Sequence, residues 1–132
     1  GLEPKGPYAE FSSRIQCVVD LYGPAELMEY KDIAAFRKSR KDAPELYKQA
    51  TPSTYADKND PPVLILHGTG DKTVDYHQSE LFAAALQKAG TKHELILVPE
   101  APHTFHLQPK QRDLRPVVLG FFDEHLKAGN KP

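Results

Sequence analysis

A single cysteine, Cys17, stands among the 132 residues, so an internal disulfide is excluded, and with it a small scaffold held together by cross-links. Cys17 lies in the apolar run IQCVVDLY, where a thiol is expected as a buried core residue. Apolar surroundings raise a thiol pKa and make it unreactive. Tryptophan is absent, and neither sign of charge dominates: 17 Lys and Arg face 18 Asp and Glu, a net charge of −1. That balance points to no nucleic acid and no anionic membrane as partner. No apolar run approaches the roughly 20 residues of a membrane span. The opening GLEPKGPYAEF is polar and turn-like, unlike a signal peptide. It begins without methionine, which reads as a cleaved chain or a piece of a longer one. The lack of disulfides fits a cytoplasm without fixing the compartment.

Against these absences stand three short apolar runs: RIQCVVDLYG at 14–23, PVLILHG at 62–68 and HELILVPEA at 93–101. Each has strand length, and near-continuous apolarity predicts burial on both faces, as in a parallel sheet. Between the last two, Leu81, Phe82, Ala85, Leu86 and Ala89 fall on one helical stripe that Gly90 can stop. After the third run, Leu114, Val117, Val118, Phe121, Phe122 and Leu126 repeat the pattern, with Pro116 tolerated in the first turn. The alternation predicts an α/β fold, a three-stranded parallel sheet flanked by helices. The length fits one domain, residues 1–132. Residues 25–57 form a long excursion between two buried strands, expected as a lid-like helical insertion. Its lysines and arginines (Lys31, Arg37, Lys38, Arg40, Lys41) alternate with Asp32 and Asp42, the pattern of a solvated face.

Polar groups that do chemistry in such a sheet sit just beyond the carboxyl ends of strands. Asp71 follows VLILHG, with Gly68 and Gly70 expected to let the backbone turn sharply. Alone, Asp71 reads as a turn former or helix cap. His103 stands in the same place after the next strand, in EAPHTFH. Neighbouring parallel strands would bring both to one edge. A carboxylate that orients an imidazole and stabilises its cation is the back half of a nucleophile–base–acid arrangement. The chain order Asp then His also fits the order Ser, Asp, His of α/β-hydrolases.

HGTGDKTV and APHTF together resemble the acid loop and histidine loop of the α/β-hydrolase superfamily, in its esterase/lipase branch of acetyl-esterase-like and prolyl-oligopeptidase-like enzymes. CVVDLYGPAEL resembles the strand and turn that follow the nucleophile helix. The resemblance runs from about Ser13 to Lys127, with Glu100, Pro102 and Glu26 departing from the usual residues. It implies catalytic roles for Asp71 as acid and His103 as base, and a serine ester hydrolase acting on short-chain esters or acetylated sugars. It implies no cofactor. The G-x-S-x-G nucleophile elbow that the family needs is absent: Ser12, Ser13, Ser39, Ser53 and Ser79 all lie outside a glycine-flanked strand-to-helix turn. The resemblance therefore covers the C-terminal half of a hydrolase. Strand 14–22 would keep an open edge, apolar on both faces, expected to pair in a homo-oligomer or with a separate N-terminal half. The alternatives are a catalytically incomplete assembly or binding module, and a weak hydrolase without a serine nucleophile.

His67, Asp71, His103 and His106 could also be drawn together as a metal site. His103 and His106 form H-x-x-H, but on a loop and without a Glu–His helix motif. His67 is expected to close its strand by hydrogen bonding, His77 and His93 to lie at the surface, and His125 to be a partly buried helix residue.

Overall fold

The computed structural model describes residues 6–7, 10–12 and 14–127. Its centre is a parallel sheet of three strands: β1 (Val18–Leu21), β4 (Val63–Gly68) and β5 (His93–Val98), in the order β1-β4-β5. Val18 is level with Val63, and Val63 with His93, so the strands start in line and end at one rim. β4 is buried along its whole length, as a continuous apolar run in a central strand requires. β5 is only half-buried. Glu94 is exposed, and only Ile96 and Val98 reach the core. Its apolarity therefore overstated its burial, because β5 forms an outer strand of the described sheet.

Side chains alternate across β4 and divide the core in two. Leu64 and Leu66 pack with Ile96, Val98, Leu114 and Val118, beneath helix α3 (Arg115–Lys127). Val63 and Ile65 pack with Leu86, Phe82 and Ala83 of helix α2 (His77–Ala89). α2 ends as its sequence requires, with Gly90 left-handed at φ 83° and its N–H bonded back to Gln87 O. Two apolar stripes are turned from their expected faces. On α2, Leu81 and Ala85 border a hollow beside Glu26, Ser53 and Thr54 instead of lying over the sheet. On α3, half-buried His125 continues the inward face, and Leu126 is 49% exposed.

β1 is shorter than the apolar run that contains it. Cys17 lies outside the strand and is half-buried, not part of the core. Nor is β1 apolar on both faces. Asp20 shares with Val18 the face turned to α2. Burial pushes its carboxyl above the usual range, opposed by a hydrogen bond from the Gly23 N–H. The described part of the sheet leaves the far edge of β1 unpaired.

The excursion is not purely helical. It contains a two-residue antiparallel ladder, β2 (Asp32–Ile33) with β3 (Lys38–Ser39), then helix α1 (Pro44–Ala50) and short 3-10 turns. The fully buried Tyr47 holds the ladder. Its hydroxyl accepts from Ile33 N–H at 2.8 Å and donates to Lys38 O at 2.9 Å. Buried Gln78 of α2 anchors the start of the excursion. Its Oε1 accepts from the Ala25 and Glu26 N–H groups at 3.1 and 2.8 Å, and its Nε2 donates to Glu29 at 2.8 Å. No helix among the described residues is long and apolar enough to cross a membrane.

Gln78→Leu keeps the volume but strips two backbone amides of their acceptor. Such a loss costs about 1–3 kcal/mol. Urea unfolding should show a lower midpoint at unchanged slope, and Gln78→Glu should lower it too, because its carboxylate would face Glu29 where the amide nitrogen now donates.

Candidate active site

β4 and β5 end side by side, and the loops that follow them stack. Thr69 N–H donates to Val98 O at 3.0 Å, Gly70 N–H to Ala101 O at 3.1 Å, and Glu100 N–H to Thr69 Oγ1 at 2.9 Å. The two glycines matter here by their lack of a side chain. Neither has positive φ; among the described glycines only Gly90 does. A Cβ on Gly68 would lie 2.1 Å from Ala101 O, and one on Gly70 2.7 Å from Glu100 O. The backbone does turn sharply here, with Asp71 N–H on Gly68 O at 3.1 Å, and the two glycines also allow the close approach of two backbones.

The contact brings Asp71 and His103 together. Asp71 has no exposed side-chain surface, and its two oxygens are divided. Oδ1 accepts from the Thr73 and Val74 N–H groups at 2.8 and 2.9 Å, an Asx turn. Oδ2 meets His103 Nδ1 at 2.6 Å. Turn former and imidazole partner are therefore one residue. A carboxylate only accepts, so Nδ1 of His103 carries the hydrogen, and in the neutral ring Nε2 holds a lone pair. Nε2 has no hydrogen-bond partner among the described residues, and the side chain is 26% exposed.

Burial pushes the Asp71 carboxyl upward. The hydrogen bond from His103, those from Val74 and Thr73, and the charge of His103 outweigh it and hold the carboxyl below its usual value.

His103 is also held from the side. The Tyr22 ring, at the end of β1, lies 4.8 Å from the imidazole between centroids and 5.1 Å from buried Phe105. Tyr22, Glu100 and Thr104 all adopt left-handed backbone, at φ 48°, 58° and 61°. Such conformations cost non-glycine residues about 1–3 kcal/mol each. Three of the four in the described chain sit at this rim, the fourth being Arg37 in the excursion.

His67 does close its strand, and it reaches the site as well: Nε2 lies 3.0 Å from Val74 O and 3.2 Å from Asp71 Oδ2. His106 is exposed, and among the described residues no group of three or more His, Cys, Asp or Glu is placed to hold a metal ion. His77 is half-exposed, and His93 is partly buried with Nδ1 on Thr91 O. The described serines are engaged elsewhere. Ser79 is buried against His67, Ser53 donates to Glu26 and Ser39 to Asp42, while Ser12 borders a large hollow at the opposite, amino ends of the strands. Ser13 lies outside the described residues. An open groove of about 410 Å³ adjoins Asp71, walled by Glu29, Tyr30, Lys72, Thr73, Asp75 and Gln78.

Tyr22 and Gln78 escaped the reading of the sequence. A glutamine among the apolar positions of α2 was the available signal for the second. Nothing local marked the first, since its partners lie more than 80 residues away.

Residues 3–86 match the BD-FAE family model. The chain is 35% identical over 82 residues to esterase LipQ of Mycobacterium tuberculosis, an overlap of 61% of this chain and 20% of that protein. It is 35% identical over 79 residues to the uncharacterized peptidase YuxL of Bacillus subtilis, covering 58% of this chain and 12% of YuxL. Among solved structures it resembles a truncated carbohydrate esterase from gut microbiota, with TM-score 0.81 and 26% identity over 91% of this chain and 46% of that one. It also resembles propionate-bound Est2, an esterase of Thermogutta terrifontis, with TM-score 0.72 and 25% identity over 93% of this chain and 47% of Est2. The chain thus spans a fifth or less of these curated relatives and about half of these solved structures.

A carboxyl held low in the folded state stabilises the protein above its unfolded pKa, near 3.9 for Asp, and that contribution is lost as pH falls through the lower folded value. Unfolding midpoints measured from pH 6 downward should fall below about pH 4, and Asp71→Asn should flatten the slope. Gly68→Ala should part the stacked loops at a cost of about 1–3 kcal/mol, the range for overpacking, read from the urea midpoint.

Proposed function

The chain belongs to the BD-FAE family, esterase-like α/β-hydrolases, and from that premise we propose that Asp71 and His103 are the acid and base of a serine ester hydrolase. The nucleophile would stand outside these 132 residues, which contain no G-x-S-x-G. The observation that carries the reading is the 2.6 Å bond between His103 Nδ1 and a carboxylate with no exposed surface, with Nε2 left unpartnered among the described residues. In this reading Nε2 takes the proton from the serine hydroxyl as it attacks the acyl carbon. The imidazolium then returns the proton to the leaving alcohol, and Asp71 stabilises the cation between the two steps. Short-chain acyl groups and acetylated carbohydrates are the substrate classes favoured by the resemblance to a carbohydrate esterase and to propionate-bound Est2.

The nucleophile must reach Nε2 from another polypeptide segment. We propose that this segment covers the free edge of β1, whose Val18 and Tyr22 amides bond toward β4 and leave the opposite side unpaired. A second copy paired through the same edge across a two-fold axis is the other cover. The half-length match to the solved esterases favours the first.

The chain alone should escape labelling by a fluorophosphonate probe and hydrolyse p-nitrophenyl acetate at the background rate. Supplied in trans with the nucleophile-bearing half of a related esterase, it should gain activity. His103→Ala and Asp71→Asn should each lower that activity by about 10³–10⁴-fold. Labelling of one of the chain's own serines, or activity that survives both substitutions, would overturn the reading. Light scattering on the chain alone separates the two covers: a monomer leaves the edge to the other half, and a stable dimer assigns it to a second copy.

A further inference from the structure

We propose that His67 is a positioning residue for the acid–base pair: as a neutral, Nε2-protonated imidazole it holds the Asp71 carboxylate and its loop in line with His103. The proposal rests on the acid–base reading of Asp71 and His103. His67 has no exposed surface and stands one residue before the end of β4. Its ring spans three elements. Nδ1 lies 2.6 Å from Ser79 Oγ on α2, and Nε2 lies 3.0 Å from Val74 O and 3.2 Å from Asp71 Oδ2 in the acid loop.

The partners fix the proton. Val74 O and the Asp71 carboxylate can only accept, so Nε2 must carry the hydrogen, which it directs at Val74 O with Asp71 Oδ2 alongside. In the neutral ring Nδ1 is then the acceptor, and the Ser79 hydroxyl donates to it. Asp71 Oδ2 receives the N–H of His103 and has His67 Nε2 as a close neighbour at 3.2 Å, while Oδ1 receives two backbone N–H groups. Without His67, Oδ2 would lose the imidazole that flanks it alongside His103. The Val74 carbonyl would also lose its tie to β4, and the loop that supplies both Oδ1 donors would lose its anchor to strand and helix. Asp20 on β1 is the other carboxylate that His67 feels, across the sheet. Tyr30 lies near enough to feel the Asp71 charge.

The test is nitrogen-15 and proton NMR on the histidine side chains of this chain. Two-bond correlations should show His67 protonated at Nε2 and bare at Nδ1 at neutral pH. An imidazolium or the opposite tautomer overturns the proposal. His67→Leu keeps an apolar side chain of similar size without the donor. It should speed exchange of the His103 Nδ1 proton by roughly tenfold, the scale of one lost hydrogen bond. His67→Gln places an amide nitrogen near the Nε2 position and should restore most of the protection. Wild-type exchange in the leucine variant overturns the assignment, and so does equal loosening by leucine and glutamine, which would mark a packing role. If His67→Leu does not fold, Ser79→Ala carries the test, because removing the Nδ1 donor should speed the same exchange and an unchanged rate overturns it. Asp71→Asn is the reference. Should the His103 proton stay protected there, the acid–base reading itself fails; if only His67→Leu leaves it protected, the His67 assignment fails alone.

Discussion

Everything at this rim depends on one buried carboxylate being shared without conflict. Asp71 gives one oxygen to the backbone of its own loop and the other to imidazoles. A buried carboxylate with fewer donors would shift toward its neutral form, because burial favours protonation. Three N–H groups, from His103, Val74 and Thr73, together with the charge of His103, reverse that tendency and keep the charge. The charge in turn selects the tautomer of His103. The shape of the turn and the state of the ring thus follow from a single side chain. That is why Asp, with its short reach and two equivalent acceptors, suits the position better than a longer acid could.

Such an arrangement needs two loops within hydrogen-bonding reach, and their closeness is bought with missing side chains. Gly68 and Gly70 let the backbone after β4 lie against Glu100 and Ala101. Unusual conformations are gathered on the same side. Tyr22, Glu100 and Thr104 are left-handed where ordinary residues resist it. Strain persists only where surrounding contacts over-determine it, and here they do: Tyr22 keeps its strand bond to Leu66 O and packs on both His103 and Phe105. The imidazole ends up held at its edge by Asp71 and on its side by Tyr22, with half-buried freedom for Nε2 alone.

Much of this could be read in the letters. The central strand was legible because β4 is buried on both faces, so six consecutive residues announce it. Asp71 and His103 were legible as a pair because each closes a neighbouring parallel strand, a relation that periodicity supplies without long-range knowledge. What stayed hidden depends on contacts between distant segments or on rotation about an axis. The α3 stripe ran through Leu126 on the page, but the helix presents His125 inward, one position earlier, and no spacing rule separates the two. The β2–β3 ladder is two residues long on each side and is held by Tyr47, an aromatic side chain satisfying backbone groups, which leaves no periodic trace. Tyr22 meets His103 only through the order of strands in the sheet. His67 was read correctly as closing its strand and undervalued as to what else its ring touches.

The position of the pair within the chain carries a further consequence. Asp71, His103, His67 and Ser79 all belong to one continuous stretch, strand β4 through the loop after β5, with α2 between. Its interactions lie within that stretch and are packed on a fully buried strand. Only Tyr22 comes from beyond that stretch, and it comes from β1 itself, the strand with the open edge. β1 reaches the Asp71–His103 pair through the Tyr22 ring and lies near His67 through Asp20. The Tyr22 ring against His103 is the aromatic contact that joins β1 to the pair, while the donors to Asp71 come from its own loop and from the loop after β5.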